Sequence, residues 1–361
     1  MARGTESAPE SLAEDTFVPR VRPVTMRDVA AAAGVSISAV SYVLNNTRPV
    51  SAEKRARVLD AIAELEYVPN GMAQGLRRTR SKILGVILPD LSIPPYGLLA
   101  RHIEAAAREA GYMTVVCNSA GDDDALTTAY MRGLQGLRAD GLILRTTREQ
   151  HELLPAVVQA QIPTVLMMSD PPAIGRQIDR VLVDNALAVR IAVKELAQAG
   201  HHRIGLVSTQ DLSRPTLVRL QGFLQGMEEA GLHANMAHVR IGPASTDTGE
   251  KLTTELLDLP DRPTAIIAAH SRQSLGALRA LRARSLTVPD DLSLIAFGRR
   301  EYFELYPTDL TFVELPMPEM AQIATKLLIE RLEAGPTHER PPQQTILLPT
   351  LQRGASVGAP R

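Results

Sequence analysis

The sequence predicts a small all-α N-terminal module with a helix-turn-helix, followed by a large two-lobed α/β core of parallel sheets flanked by helices. Three observations carry this. From about residue 83, short apolar runs of strand length alternate with segments of helical period. Before residue 83 there is no such alternation, and short helical stretches are separated by turn signals at Gly34, Asn45–Pro49 and Pro69. Charge is also unevenly divided: residues 24–82 hold nine basic and five acidic side chains, net +4, although the whole chain is −1. A basic end on an acidic body is the asymmetry of a DNA-binding module joined to a second domain.

In the core, the strand-like runs are Ile83–Leu88, Thr114–Cys117, Gly141–Leu144, Thr164–Met168, Val181–Val183, Ile204–Val207, Ala265–Ala268 and Leu292–Phe297. Between them lie the helical segments Leu98–Ala110, Ala125–Leu137, Leu153–Gln159, Ala186–Ala199, Leu217–Ala230, Thr246–Leu257 and Gln273–Ala283, with Gly111, Gly200 and Gly231 as stops. Repeated alternation with short connections predicts parallel sheets covered by helices. About 280 residues exceed one such sheet, so two lobes are expected. The pattern alone fits many α/β enzymes equally well.

Composition narrows the class. A hydrophobic fraction of 45% and a charged fraction of 22% are those of a globular protein. No apolar run approaches the roughly 20 residues that span a bilayer. Residues 1–23 mix both charges, have no apolar centre and so do not read as a secretory signal; they are expected to be a disordered tail. Cys117 is the only cysteine, which rules out an internal disulfide and a thiol metal site and suits the cytoplasm. It lies in an apolar run and reads as a buried strand residue. There is no Walker loop, G-x-G-x-x-G, nucleophile elbow or H-E-x-x-H, so no catalytic residue, cofactor or metal is expected. His201 and His202 follow Gly200 at a helix-to-strand turn, where a surface or packing role is expected.

The N-terminal module is the more specific part. Thr25-Met26-Arg27-Asp28 is a capping box that opens a helix over Met26–Ala33. Small residues from Ala30 to Ala33 permit close approach of a second helix, and Gly34 makes the turn. Ser36 caps a second helix, Ile37–Leu44, with Val40, Val43 and Leu44 on one face; Ser51 caps a third, through about Glu66. Two short helices joined by a glycine-containing turn are a helix-turn-helix.

These residues resemble the lactose-repressor family. The opening motif is Val24-Thr25-Met26-Arg27-Asp28-Val29-Ala30, Ala33-Gly34-Val35-Ser36 and Val40-Ser41-Tyr42-Val43-Leu44-Asn45; the hinge motif is Tyr67-Val68-Pro69-Asn70 and Ala73-Gln74-Gly75-Leu76-Arg77. Val183-Asp184-Asn185, Gly200-His201-His202-Arg203-Ile204, Arg219-Leu220-Gln221-Gly222-Phe223, Pro263-Thr264-Ala265 and Leu351-Gln352-Arg353-Gly354 resemble core motifs. The resemblance implies a headpiece over 24–69, a hinge over 70–82 and a core over 83–361 of the periplasmic sugar-binding type. Its N-lobe is expected at about 83–178 and 312–338, and its C-lobe at about 179–311 and 339–355. The implied protein is a transcriptional regulator, a repressor or an activator and by expectation a repressor, that binds a palindromic DNA operator as a homodimer under control of a small-molecule effector.

By the same resemblance the second helix lies in the major groove, with Ile37, Ser38 and Tyr42 facing bases and Thr25, Ser36, Ser41 and Asn45 contacting phosphate. Ser36 also reads as a pure cap. Tyr42 stands where the family usually has arginine. Asn70, Leu76 and Arg77 belong to the hinge, and Leu76 matches the leucine that wedges between central base pairs in the minor groove. In the core, Tyr96, Arg219, Asp184, His270 and Arg299 are the effector candidates; Arg219 reads alternatively as a structural salt bridge. The cleft also carries Ile93, Met168, Ser271, Gly298 and Leu315 where the family favours amides or acids. Either the effector is not an ordinary sugar, being anionic or less hydroxylated, or effector control has been lost. Helices around Leu98–Ala110 and Ala321–Leu332 are the implied dimer surfaces. An exported binding receptor with this core is disfavoured by the headpiece and by the composition of residues 1–23.

The hinge yields a prediction. Gly71 and Gly75 each disfavour helix by about 1 kcal/mol relative to alanine, so DNA has to supply the ordering free energy. Alanine at both positions is expected to tighten operator binding and make it less sensitive to the effector. Leu76→Ala is expected to weaken specific binding and spare the salt-sensitive non-specific mode; equal loss of both in a titration at two salt concentrations contradicts the wedge.

Overall fold

The computed structural model describes residues 24–45, 47–67, 80–120, 123–146, 153–171, 177–209, 214–335 and 340–361. The chain divides into two units, residues 1–79 and 80–361, which are taken in turn.

The first unit contains α1 (Met26–Ala33), α2 (Ile37–Asn45) and α3 (Ala52–Glu64). At the start of α1, the Asp28 carboxylate accepts from the Thr25 amide at 2.8 Å and from its hydroxyl at 2.6 Å. Gly34 ends the helix with φ +61° and ψ +39°. A side chain there would have room, since only Arg57 Nη1 comes within 3.7 Å of an added Cβ, so it is the left-handed backbone that selects glycine. The turn sets α2 at 104° to α1, within the helix-turn-helix range. Val29, Ala30, Ala33, Val40, Val43, Val58, Ala61 and Tyr67 form the buried core. Ser36 caps as expected, its Oγ accepting from the Ala39 amide at 3.2 Å. Ser51 does not: it stands at the N-cap of α3, but its hydroxyl makes no capping bond, and only its carbonyl engages the helix through the Arg55 amide.

The second unit holds two sheets. The first contains β1 (Ile83–Leu88), β2 (Met113–Asn118), β3 (Gly141–Leu144), β4 (Thr164–Met167), β5 (Asp179–Val183) and β11 (Gln344–Leu347), in the order β11-β5-β4-β3-β1-β2 and parallel throughout. It is flanked by α4 (Pro94–Glu109), α5 (Asp124–Gly136), α6 (Leu154–Gln159) and α11 (Met317–Ala334). The second contains β6 (Ile204–Thr209), β7 (Val239–Gly242), β8 (Ala265–Ala268), β9 (Ser293–Phe297), β10 (Thr311–Glu314) and β12 (Thr350–Gln352), in the order β12-β10-β9-β8-β6-β7. Only β12 runs antiparallel there. Its helices are α7 (Asn185–Gln198), α8 (Arg214–Glu229), α9 (Thr246–Leu257) and α10 (Ser271–Ala283).

The lobe boundaries differ from those expected. β5 and β11 belong to the N-lobe sheet, whereas β10 belongs to the C-lobe sheet. The chain therefore crosses at Asp184, at Leu315–Pro316 and at Leu348–Pro349. Each crossing follows the carboxyl end of a strand, because that is the edge of one lobe that meets the other. Helix α11, expected at a dimer surface, buries one face, Met317, Met320, Ala321, Ala324, Thr325, Leu327, Leu328 and Leu332, most of them in the N-lobe core. Cys117 is buried on β2, and burial pushes its thiol pKa up, which disfavours the thiolate. His201 is a packing residue: it is 1% exposed and its ring nitrogens engage Thr264, Ser293 and the Gly358 carbonyl, each at 2.9 Å. Among the described residues no single helix is long and apolar enough to cross a membrane.

Helices α9 and α10 cross through glycine. A Cβ on Gly276 would lie 2.2 Å from the Thr246 carbonyl oxygen and 2.4 Å from the Glu250 nitrogen, so the backbones would have to separate. Gly276→Ala is expected to cost about 1–3 kcal/mol in urea unfolding, the range of overpacked cores; an unchanged midpoint contradicts this close crossing.

Candidate nucleic-acid interface and ligand cleft

Helix α2 presents a polar face opposite its buried Val40 and Val43. Ile37 is 44% exposed, Ser36 and Ser38 are exposed, and Ser41, Tyr42 and Asn45 are half-buried. Leu59 on α3 is similarly open at 49%, so it is the grouping of Ile37 with Ser36 and Ser38 on one face that marks α2. Asn45 donates from Nδ2 to the Ser41 carbonyl at 2.9 Å and to its Oγ at 3.4 Å, which fixes the amide along the helix. The Arg48 guanidinium lies 5.3 Å from the centre of the Tyr42 ring. This cation–π contact puts a positive charge beside the exposed face. Sequence reading missed Arg48, although an arginine just past the end of α2 was visible. Thr25 is exposed beside Asp28. Asn70, Leu76 and Arg77 lie outside the described residues.

In the second unit the carboxyl edges of the two sheets meet. Arg272, in the first turn of α10 after β8, donates to Ser92 Oγ at 2.6 Å and pairs with Asp90 at 3.3 Å, both in the segment after β1. Hydrogen bonds from Ser92, and then the Arg272 charge, hold the Asp90 carboxyl below its ordinary pKa. Leu315, on the second crossing, packs against the cores of both lobes. The crevice outside the carboxyl ends of parallel strands is where α/β folds bind ligands.

The effector candidates are held as follows. Arg219 is buried on α8, donates to Asn185 Oδ1 at 2.9 Å and to the Ala269 carbonyl at 2.6 Å, and lies over the Phe297 ring. It thus ties together the starts and ends of three elements at the carboxyl edge. Asp184 is the N-cap of α7, accepting from the Leu187 amide at 2.8 Å. His270 is the N-cap residue of α10, and Tyr96 is half-buried in the first turn of α4. Arg299 pairs with Glu301 at 3.1 Å and Glu314 at 3.5 Å, and Arg300 with Asp309 at 2.5 Å. The positive excess expected in that corner is therefore balanced within the protein. Ile93, Met168 and Leu315 are half-buried.

One residue went unnoticed. Arg145 follows β3 and is only 5% exposed. Its amide bonds to the Ile87 carbonyl at 3.1 Å, level with the end of β1, so it stands on the same carboxyl edge as Asp90. The signal was a lone charge closing the apolar run Gly141–Leu144.

A helix-turn-helix unit ahead of a two-lobed α/β core defines a regulator that binds DNA. The comparisons with known proteins agree. The model for bacterial regulatory proteins of the lacI family matches residues 25–70, and a periplasmic binding protein-like domain matches residues 193–357. The chain is 35% identical to the HTH-type transcriptional regulator DegA of Bacillus subtilis, covering 82% of this chain and 88% of that protein. It is 30% identical to the ribose operon repressor of Escherichia coli K12, covering 92% and 99%. A lac repressor dimer bound to operator superimposes with a TM-score of 0.83 at 25% identity, covering 94% of this chain and 100% of that one. The chain belongs to the lacI family of bacterial regulatory proteins, and it is a DNA-binding transcriptional regulator rather than an enzyme.

The interlobe pair is testable. Its side chains are 27% and 29% exposed, so a double-mutant cycle on Asp90→Asn and Arg272→Gln is expected to give about 0.5–1 kcal/mol at low salt and less at 1 M. Because the folded Asp90 pKa is lowered, the coupling is present at neutral pH and lost as pH falls through that lowered value. A coupling of zero at low salt contradicts the bridge.

Proposed function

We propose that the chain represses transcription by binding a palindromic operator as a homodimer, and that a small molecule in the interlobe cleft sets its operator affinity. The observation that carries this is the open face of α2, with exposed Ile37 and Ser38 beside a turn held by Gly34. Ile37 suits a thymine methyl, and Ser38 bonds either donor or acceptor edges. Tyr42, with Arg48 stacked on it, replaces the usual bidentate guanine reader, so the half-site differs from one read by arginine there. Thr25, Ser36, Ser41 and Asn45 fit phosphate contacts, which set register without reading sequence. In the hinge, Leu76 serves as the minor-groove wedge, flanked by Asn70 and Arg77.

One headpiece reads only a few base pairs, so a two-fold dimer is required for a long site. The edge strands support this: Met113 on β2 is 61% exposed and Ile241 on β7 is 41% exposed. Apolar edges of this kind are normally covered. A ribose operon repressor among the relatives, and a solved transcriptional regulator CelR–cellobiose complex at 29% identity and a TM-score of 0.70, support a ligand of sugar size in the cleft. The ligand of this chain is anionic or less hydroxylated than those, because half-buried Ile93, Met168 and Leu315 offer no partner to a hydroxyl.

Binding-site selection tests the readout. Replacing Ile37 and Ser38 together by alanine is expected to change the preferred operator, whereas Asn45→Ala or Thr25→Ala weakens all sequences alike. An unchanged preference in the double variant places the readout elsewhere.

A further inference from the structure

We infer that Arg145 anchors an oxyanion of the effector, a carboxylate or a phosphate, beneath the carboxyl ends of β3 and β4. This rests on the cleft being the effector site, and it names the chemistry that site selects.

Arg145 is 5% exposed, yet among the described residues no carboxylate lies within ion-pair distance of it. Its Nη1 donates only to the neighbouring Thr146 carbonyl and, at a long 3.4 Å, to Ser169 Oγ. Its Nε is buried with no hydrogen-bond partner. The Thr146 hydroxyl beside it is equally buried and equally without a partner. Ser169 closes the group: its Oγ accepts from the Thr146 amide at 2.9 Å and donates to the Thr146 carbonyl at 2.8 Å, holding the tips of β3 and β4 together.

A buried cation normally carries its counter-charge with it. The cleft's other exposed or half-exposed arginines obey that rule: Arg272 has Asp90, Arg299 has Glu301 and Glu314, and Arg300 has Asp309. Arg145 departs from it at the edge where the lobes meet. A guanidinium offers a planar fork of N–H donors that matches two oxygens of one anion, and the Thr146 hydroxyl adds a further donor. A neutral ligand hydroxyl would satisfy one of these groups and leave the charge uncompensated.

Thermal unfolding of the full chain tests this with inorganic phosphate, acetate and ribose as separate probes, ionic strength being held constant with sodium chloride. Phosphate or acetate is expected to raise the unfolding temperature saturably, by on the order of 5 °C well above Kd, and ribose is not. Which anion acts distinguishes a phosphate from a carboxylate ligand. Arg145→Gln is expected to abolish the rise, and without anion it unfolds no lower than the wild type, since it removes an uncompensated charge. Thr146→Val, which keeps the shape, is expected to weaken the anion effect at least about tenfold, and it carries the test should the arginine variant not fold. No saturable response to either anion, a response unaltered in both variants, or a lower unfolding temperature for anion-free Arg145→Gln overturns the assignment. Operator binding by the wild type, measured alongside, separates the two readings: its loss counts against the repressor, and loss of the anion response alone counts only against Arg145.

Discussion

Everything in the core follows from strand direction. Parallel strands deliver all their carboxyl ends to one edge, and in both lobes that edge faces the other lobe. The chain can pass between lobes only there, which is why β5, β10 and β11 each lead directly into a crossing. The same constraint gathers Asp90, Arg145 and Ser169 from one lobe and Arg219, His270 and Arg299 from the other into a single region, although they are spread over more than two hundred positions of the sequence. The cleft is thus a consequence of topology, and individual side chains decide only what it selects.

Charge balance is the second organising principle. Surface arginines find carboxylates at little gain, as exposed pairs do. At the carboxyl edge the Arg272–Asp90 and Arg299–Glu314 pairs are half-buried and also fix geometry: Arg272 joins the lobes, while Arg299, with the exposed Arg300–Asp309 pair, braces the segment after β9. Arg219 is held by Asn185, the Ala269 carbonyl and the Phe297 ring, a combination that orients its guanidinium. On the opposite lobe, Arg145 has no carboxylate within ion-pair distance among the described residues.

Much of this was legible in the sequence. Periodicity placed α1, α9, β1, β3 and β8 at their observed bounds, because each is either an amphipathic helix with a clear cap or a short run buried on both faces. β7, β10 and β11 escaped notice because they are four residues long and mix polar with apolar side chains. The lobe boundaries failed for a different reason: sheet membership is a long-range property, and Val181–Val183 reads the same whichever sheet it joins. Side-chain partners were the least legible. Nothing local shows that Arg299 is met by Glu314 across a strand, or that Asp184 is committed to capping α7, so a count of charges near a cleft overstates its field.

The headpiece is the reverse case: its helix starts, its glycine turn and the reciprocal contacts of Thr25 and Asp28 are local and legible in the sequence, while the Ser51 cap is not. Its function depends on symmetry that a single chain does not display. Hydroxyl-radical footprinting on DNA selected by the full chain measures that symmetry most directly. Two protected half-sites related by a two-fold axis, with centres about one helical turn or roughly 34 Å apart, are expected of a dimer reading a palindrome. A single asymmetric footprint, or uniform protection independent of sequence, contradicts it.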